Sequence, residues 1–180
     1  MAQQVSRGRT VPATVAGVGA WANATSAALC DGVPGTFDTA TCTWTSAGAS
    51  DVGSVTIGGY VFGFDGGEQI TACSILVNFF VSATLHITSV TAQLQTSAGA
   101  AIGAAQSCTL NAAATSVVVA PSVLPTVAQC ISGLQVLITC NNSTGTTSRV
   151  FSFDNVDITM TFNALPTNIN CAPIIRSSRW

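Results

Sequence analysis

The amino-acid sequence predicts an all-β protein built as a single antiparallel β-sandwich. Apolar residues alternate with polar ones at a period of two, clusters of Gly, Ser, Asn and Asp separate these runs, and no segment sustains a helical period. The length of 180 residues suits one domain and suffices to bury a core without disulfides or metal ions. About eight strands are expected at sandwich-like spacing.

The clearest strand is the alternating run Cys73–Val81. Its second face also carries large apolar residues, Leu76 and Phe80, which predicts a strand covered on both sides. Further along, the parity of the alternation shifts by one between residues 87 and 90. Such a shift predicts a β-bulge near Thr88-Ser89.

The last two strands are predicted at residues 134–140 and 156–162, where apolar alternation returns. Turn-forming residues at positions 141–145 separate them, which predicts that the two strands form a hairpin. In the final strand, Asp157 and the threonines that follow it alternate with apolar residues and are expected to point outward.

Both ends of the chain lack a core pattern. We therefore place the sandwich at residues 17–163, an N-terminal arm at residues 1–16 and a C-terminal arm at residues 164–180. Four of the five cations, all of them arginines, lie in these arms. We expect the arms to contact neighbouring chains through residue types that interfaces favour, namely Arg7, Arg9, Arg176, Arg179 and Trp180.

The composition leaves few charges for the surface. Charged residues make up 7 % of the chain, against roughly 25 % in a typical soluble domain. Either neighbouring subunits cover much of this surface, or neutral Ser and Thr side chains solvate an ordinary extracellular protein. The net charge of −2 gives no reason to expect a nucleic-acid partner, and no apolar stretch is long enough for a membrane helix.

The chain contains seven cysteines, so at least one is unpaired within the chain. Cys30 with Cys42, and Cys108 with Cys130, flank loops and could form disulfides in an oxidising environment. The alternative is that the cysteines are free thiols packed in the core. No C-x-x-C motif occurs and His86 is the only histidine, so we expect neither a metal site nor a cofactor.

Several motifs in order along the chain resemble a jelly-roll module that is widespread among tailed-phage structural proteins. The similarity spans about residues 17–163. The matching segments are Gly19–Asn23, Ala28–Gly32, Thr39–Thr41, Gly63-Phe64, Ile70–Val77, Ile131–Val136 and Asp154–Phe162. There are two departures: Ala72 and Ser74 stand where the family has Ile and Gly, and Pro121–Gln129 replaces a Trp-rich stretch.

The resemblance implies a sandwich of the jelly-roll type and a virion component without a catalytic site. On this basis we expect a structural protein of a tailed phage, assembled in the host cytoplasm and placed on the tail or tail tip. A capsid decoration protein is the alternative placement. The expected partners are other virion proteins and further copies of the chain, arranged in a closed ring such as a trimer.

A third interpretation is a glycan-binding module that serves host attachment, since jelly rolls also occur in lectins. Its candidate contacts are the aromatic residues Trp21, Trp44 and Tyr60, although the two tryptophans also suit the ends of the core. An enzyme is not expected. His86 is the only histidine and Glu68, the only glutamate, lies in a turn sequence, so acid–base groups are scarce.

Overall fold

The computed structural model describes residues 1–7, 14–24, 42–48, 50–82, 87–113, 115–142 and 148–164, which form two antiparallel β-sheets and one short helix. The elements in chain order are β1 (Ala2–Arg7), β2 (Thr14–Gly17), β3 (Ala20–Ala22), β4 (Cys42–Thr45), β5 (Val52–Tyr60), β6 (Gln69–Val81), β7 (Ile87–Thr96), β8 (Gln106–Cys108), β9 (Thr115–Val119), α1 (Val127–Ser132), β10 (Leu134–Asn142) and β11 (Val150–Asn163).

The sheet order identifies the fold as a jelly-roll sandwich. Sheet A runs β3-β4-β11-β6-β9, with β1 also paired to β11, and sheet B runs β2-β5-β10-β7-β8. The eight strands from β4 to β11 divide four to each sheet and interleave along the chain, as in a jelly roll. The predicted all-β fold class is therefore confirmed.

Two local predictions also hold. In the pairing of β10 with β7, Asn141 lies opposite Ser89 and Asn142 lies opposite Ile87, so Thr88 is the extra residue of a bulge. Strand β6 lies between β11 and β9, and its outer face is half-buried or fully buried from Ser74 to Phe80.

The predicted hairpin between the last two strands does not form. Strand β10 pairs with β5 and β7 in sheet B, whereas β11 pairs with β1, β4 and β6 in sheet A. The connection between them therefore crosses from one sheet to the other. Turn residues indicate where a strand ends, but they do not indicate which sheet the next strand joins.

The N-terminal segment also differs from the prediction. Residues 2–7 do not extend away from the sandwich; they form β1, which pairs with β11. Residues 14–17 form β2, which pairs with β5 at the edge of sheet B. Most of the segment predicted as the C-terminal arm lies outside the described residues.

The core lies between the sheets, where the alternation predicts it. Inward residues of β5, β6, β10 and β11 are almost fully buried, among them Ile57, Val77, Ile138 and Ile158.

Helix α1 begins with a capping box, in which Thr126 and Gln129 each accept a hydrogen bond from the other's backbone N–H. Among the described residues, no helix has the length and apolar character to cross a membrane.

Candidate functional site

Two of the three aromatic residues predicted as glycan contacts are core residues. Trp44 is fully buried, and its indole N–H donates to the backbone oxygen of Val18 at 2.9 Å. Tyr60 is also fully buried, and its hydroxyl donates to the backbone oxygen of Val156 at 2.9 Å. Neither ring can stack on a sugar, because the folded sandwich encloses both. The chain has few aromatic residues, and both Trp44 and Tyr60 are part of its core.

Trp21 is half-buried on the short strand β3. Its ring centroid lies 6.4 Å from that of Trp44, so it covers one end of the core. One partly exposed tryptophan remains from the predicted aromatic set, and no second described aromatic of that set joins it at the surface.

The predicted arm contact of Arg7 is made within the chain. Its Nε atom lies 3.5 Å from Oδ1 of Asp157, and the Arg7 side chain is 32 % exposed. Within the chain, Arg7 thus links β1 to β11. Arg9, Arg176, Arg179 and Trp180 lie outside the described residues.

Asp157 is buried although it points outward from sheet A, which the sequence pattern does not reveal. Burial raises the pKa of its carboxyl group, while the nearby Arg7 guanidinium and a hydrogen bond from Asn155 lower it. The Asn155 Nδ2 donates to Asp157 Oδ2 at 3.1 Å. Opposite Asn155 on β6 lies Asn78, which is also fully buried and accepts a hydrogen bond from Ser116. A buried polar cluster therefore lies on the outer face of sheet A.

The five described cysteines are all buried free thiols: Cys42, Cys73, Cys108, Cys130 and Cys140. Cys108 lies on β8 and Cys130 lies in α1, and both are free thiols, as in the second of the two alternatives that the sequence left open. Cys42 is likewise free, and its proposed partner Cys30 lies outside the described residues.

Burial raises the pKa of the Cys42 and Cys73 thiols to about 12 and that of the Cys108 and Cys130 thiols to about 11. These groups remain protonated at neutral pH, and a protonated thiol is a poor nucleophile and a poor metal ligand. The described part of the chain holds no group of three or more His, Cys, Asp or Glu side chains that could bind a metal ion.

Glu68 has a structural role in the turn before β6. Its carboxylate accepts hydrogen bonds from the backbone N–H groups of Asp65 and Gly66, at 3.2 Å and 3.1 Å. These bonds hold the turn, as its sequence predicts. His86 lies outside the described residues.

The outer face of sheet B is largely polar, with Leu137 and Val52 as aliphatic residues among its outward side chains. None of its five strands contains a charged residue. We define the sheet B polar face as the outward, half-buried residues Ser54, Thr56, Ser89, Thr91, Gln93, Gln135, Thr139 and Asn141. They alternate with core residues along β5, β7 and β10.

Strand register aligns these side chains in rows across the sheet. Thr139 of β10 lies between Ser54 of β5 and Thr91 of β7. In the next row, Leu137 lies between Thr56 and Gln93 and adds an apolar centre. Hydroxyl and amide groups therefore surround one aliphatic side chain in the middle of the face.

A chain of hydrogen bonds fixes the amides at one end of the face. Gln135 Nε2 donates to Gln95 Oε1 at 3.0 Å, and Gln95 Nε2 donates to Gln93 Oε1 at 3.4 Å. Gln93 Nε2 in turn donates to the backbone oxygen of Gly103 at 3.2 Å. Each amide thereby keeps a defined orientation, and Gln135, at the other end of the chain of hydrogen bonds, is half-buried. Beyond it, a shallow pocket of about 310 Å³ lies between residues 96–98 and helix α1.

The sequence matches no family model, and no curated protein matches it. Solved structures that match this chain include TmCBM61 in complex with β-1,4-galactotriose, at 7 % sequence identity and a TM-score of 0.45. The match covers 84 % of this chain and 90 % of that one. A structure of carbohydrate-binding modules from the β-sandwich superfamily has 11 % identity and a TM-score of 0.45, over 87 % and 56 % of the two chains.

A third similar structure is the enzymatically active domain of bacteriophage CBA120 tailspike protein 4. It has 11 % identity and a TM-score of 0.46, and the match covers 88 % of this chain and 19 % of that chain. All three matches are distant in sequence. The jelly-roll assignment of this chain stands on its own strand order, and its sheet B polar face is the candidate functional site.

Proposed function

We propose that the protein is a non-enzymatic jelly-roll module that binds neutral carbohydrate on the sheet B polar face. The observation that carries this proposal is the absence of charge from all five strands of sheet B, combined with in-register hydroxyl and amide groups. Sugar hydroxyls both donate and accept hydrogen bonds, and amide and hydroxyl side chains do the same.

The fixed amides support binding because their orientation is set before a ligand arrives. The chain from Gln135 through Gln95 to Gln93 ends on a backbone oxygen, so little side-chain entropy is lost on binding. The half-buried Leu137 offers an apolar surface to the C–H face of a sugar ring. These strands carry no cationic side chain to pair with phosphate groups, which disfavours nucleic acid as the ligand.

The expected affinity is modest. A hydrogen bond contributes about 0.5–1.5 kcal/mol net, and no described aromatic ring lies on the face to add stacking energy. From Gln135 to Asn141 the outward residues of β10 span about 20 Å, at roughly 3.4 Å per residue. A glycan that covers several rows is expected to bind with a Kd on the order of 1 mM to 10 μM.

The test is a glycan array followed by titration of the best neutral hit. Thr139→Ala should weaken binding several-fold, because Thr139 is central on the face. Thr159→Ala is the matched control, since Thr159 is an outward, half-buried threonine on the central strand of sheet A. An array without hits, or equal affinities for the two variants, would rule out the proposed face.

A second candidate function is a virion structural component of a tailed phage, the setting that the sequence resemblance implies. Exposed aliphatic residues near the edge strand β9 favour it, since Val118, Val123 and Leu124 are all exposed within seven residues of sequence. Labelling the C-terminus and imaging intact particles tests this candidate. Label on the tail supports the tail placement, label over the shell supports capsid decoration, and unlabelled particles would exclude both.

A further inference from the structure

We propose that β1 is an exchangeable strand, which can leave its own chain and occupy the same site along β11 of a second copy. In the structure, β1 runs antiparallel to β11 from the pair Ala2–Phe162 to the pair Arg7–Asp157. Within the described residues, β11 is its only strand partner. This inference does not depend on carbohydrate binding.

The attachment of β1 is almost entirely polar. No residue of β1 is buried, and Val5, its one large aliphatic residue, is 62 % exposed. Beyond the backbone ladder, Gln3 Nε2 donates to Thr161 Oγ1 at 3.3 Å and Ser6 Oγ accepts from the Val61 N–H at 3.0 Å. A strand held without a hydrophobic anchor can detach without exposing core side chains.

The receiving site on β11 is nonetheless specific. Asp157 is buried there and needs the Arg7 guanidinium as its cationic partner. On the other flank of β1, the Gly63 N–H donates to Gln4 Oε1 at 3.0 Å. A second copy's β1 would restore the same register and the same contacts, so exchange leaves the two attached states nearly equal in free energy.

The packing beside β1 is loose, which favours exchange. A groove of about 610 Å³ lies between β1 and the end of β5, where Val61 is 71 % exposed. Residues 8–13 connect β1 to β2, and six residues can span about 20 Å when extended. Short connections generally give an intramolecular site an effective concentration on the order of millimolar, so the closed monomer should dominate in dilute solution and exchange should grow where copies are crowded.

The test uses two tagged chains in a background with Cys30 and Cys171 replaced by serine. One chain carries Gln3→Cys and the other Thr161→Cys, since these two side chains are in contact across β1 and β11. The chains are mixed at high concentration and oxidised, and linked heterodimers are counted by mass. In the control, Thr139→Cys on sheet B replaces Thr161→Cys.

Strand exchange predicts about 10-fold more linked heterodimer from the Gln3–Thr161 combination than from the control, because register holds the two thiols together at high effective concentration. Deleting residues 1–7 should abolish concentration-dependent dimers. The proposal is overturned if heterodimer stays at the control level while a single chain with both cysteines links only to itself. Dimers that persist after the deletion would also overturn it.

Discussion

Replacing Gly53 with alanine should destabilise the fold strongly, because Gly53 gives the indole of Trp44 room to cross from sheet A to the backbone of sheet B. A Cβ atom at position 53 would lie 2.2 Å from Trp44 Nε1 and 2.4 Å from its Cε2. Ordinary contact begins at 3.4 Å, so the ring would have to move by about 1.2 Å.

The buried ring cannot make that movement freely. Its N–H donates to Val18 at 2.9 Å, and its centroid lies 5.0 Å from that of Phe151. Loss of the hydrogen bond costs about 1 kcal/mol and overpacking costs about 1–3 kcal/mol, so Gly53→Ala should lower the free energy of unfolding by about 2–4 kcal/mol.

Urea unfolding followed by tryptophan fluorescence measures this loss. The midpoint for Gly53→Ala should fall by about 1–2 M. Gly63→Ala is the matched control: nothing lies within 4 Å of its added Cβ, and its midpoint should stay near that of the unsubstituted protein. Equal midpoints for the two variants would refute the argument that Trp44 packs against Gly53.

Three further changes test other parts of the structure. Tyr60→Phe removes the buried hydrogen bond to Val156 and should cost about 1 kcal/mol in urea unfolding, whereas a cost near zero would contradict that bond. Burial raises the pKa of Asp157, so the folded chain binds the proton of this carboxyl group more tightly than the unfolded chain does. The free energy of unfolding should therefore fall as the pH rises from about 4 through the raised pKa. In unfolding curves measured between about pH 4 and 7, Asp157→Asn should remove this dependence of the unfolding free energy on pH. An unchanged pH dependence would assign the effect to another group. Thr126→Ala removes the cap of α1 and should cost about 1 kcal/mol, with Ser132→Ala at the other end of the helix as a comparison.

The parts of the fold that follow from side-chain alternation could be predicted from the sequence. The two-sided burial of β6 and the bulge at Thr88 both follow from which residues are apolar and at what spacing. Alternation fixes the face on which a side chain lies, and it is a local property of the chain.

Features that depend on which strands become neighbours could not be predicted in this way. The segment Ala2–Arg7 has no apolar pattern, because β1 is held by hydrogen bonds instead of core contacts. The rows of the sheet B polar face arise only when β5, β7 and β10 come into register. Burial of Asp157 on an outward face likewise follows from tertiary packing.

Backbone amide chemical-shift mapping tests most directly whether neutral carbohydrate binds to the outer face of sheet B. The 15N-labelled protein would be titrated with the best neutral glycan from the array. Binding on the sheet B polar face predicts that the largest shifts cluster on β5, β7 and β10, centred on Leu137 and Thr139, with side-chain amide shifts at Gln135. Shifts that cluster instead around Trp21 or on sheet A, or no shifts at millimolar glycan, would contradict it.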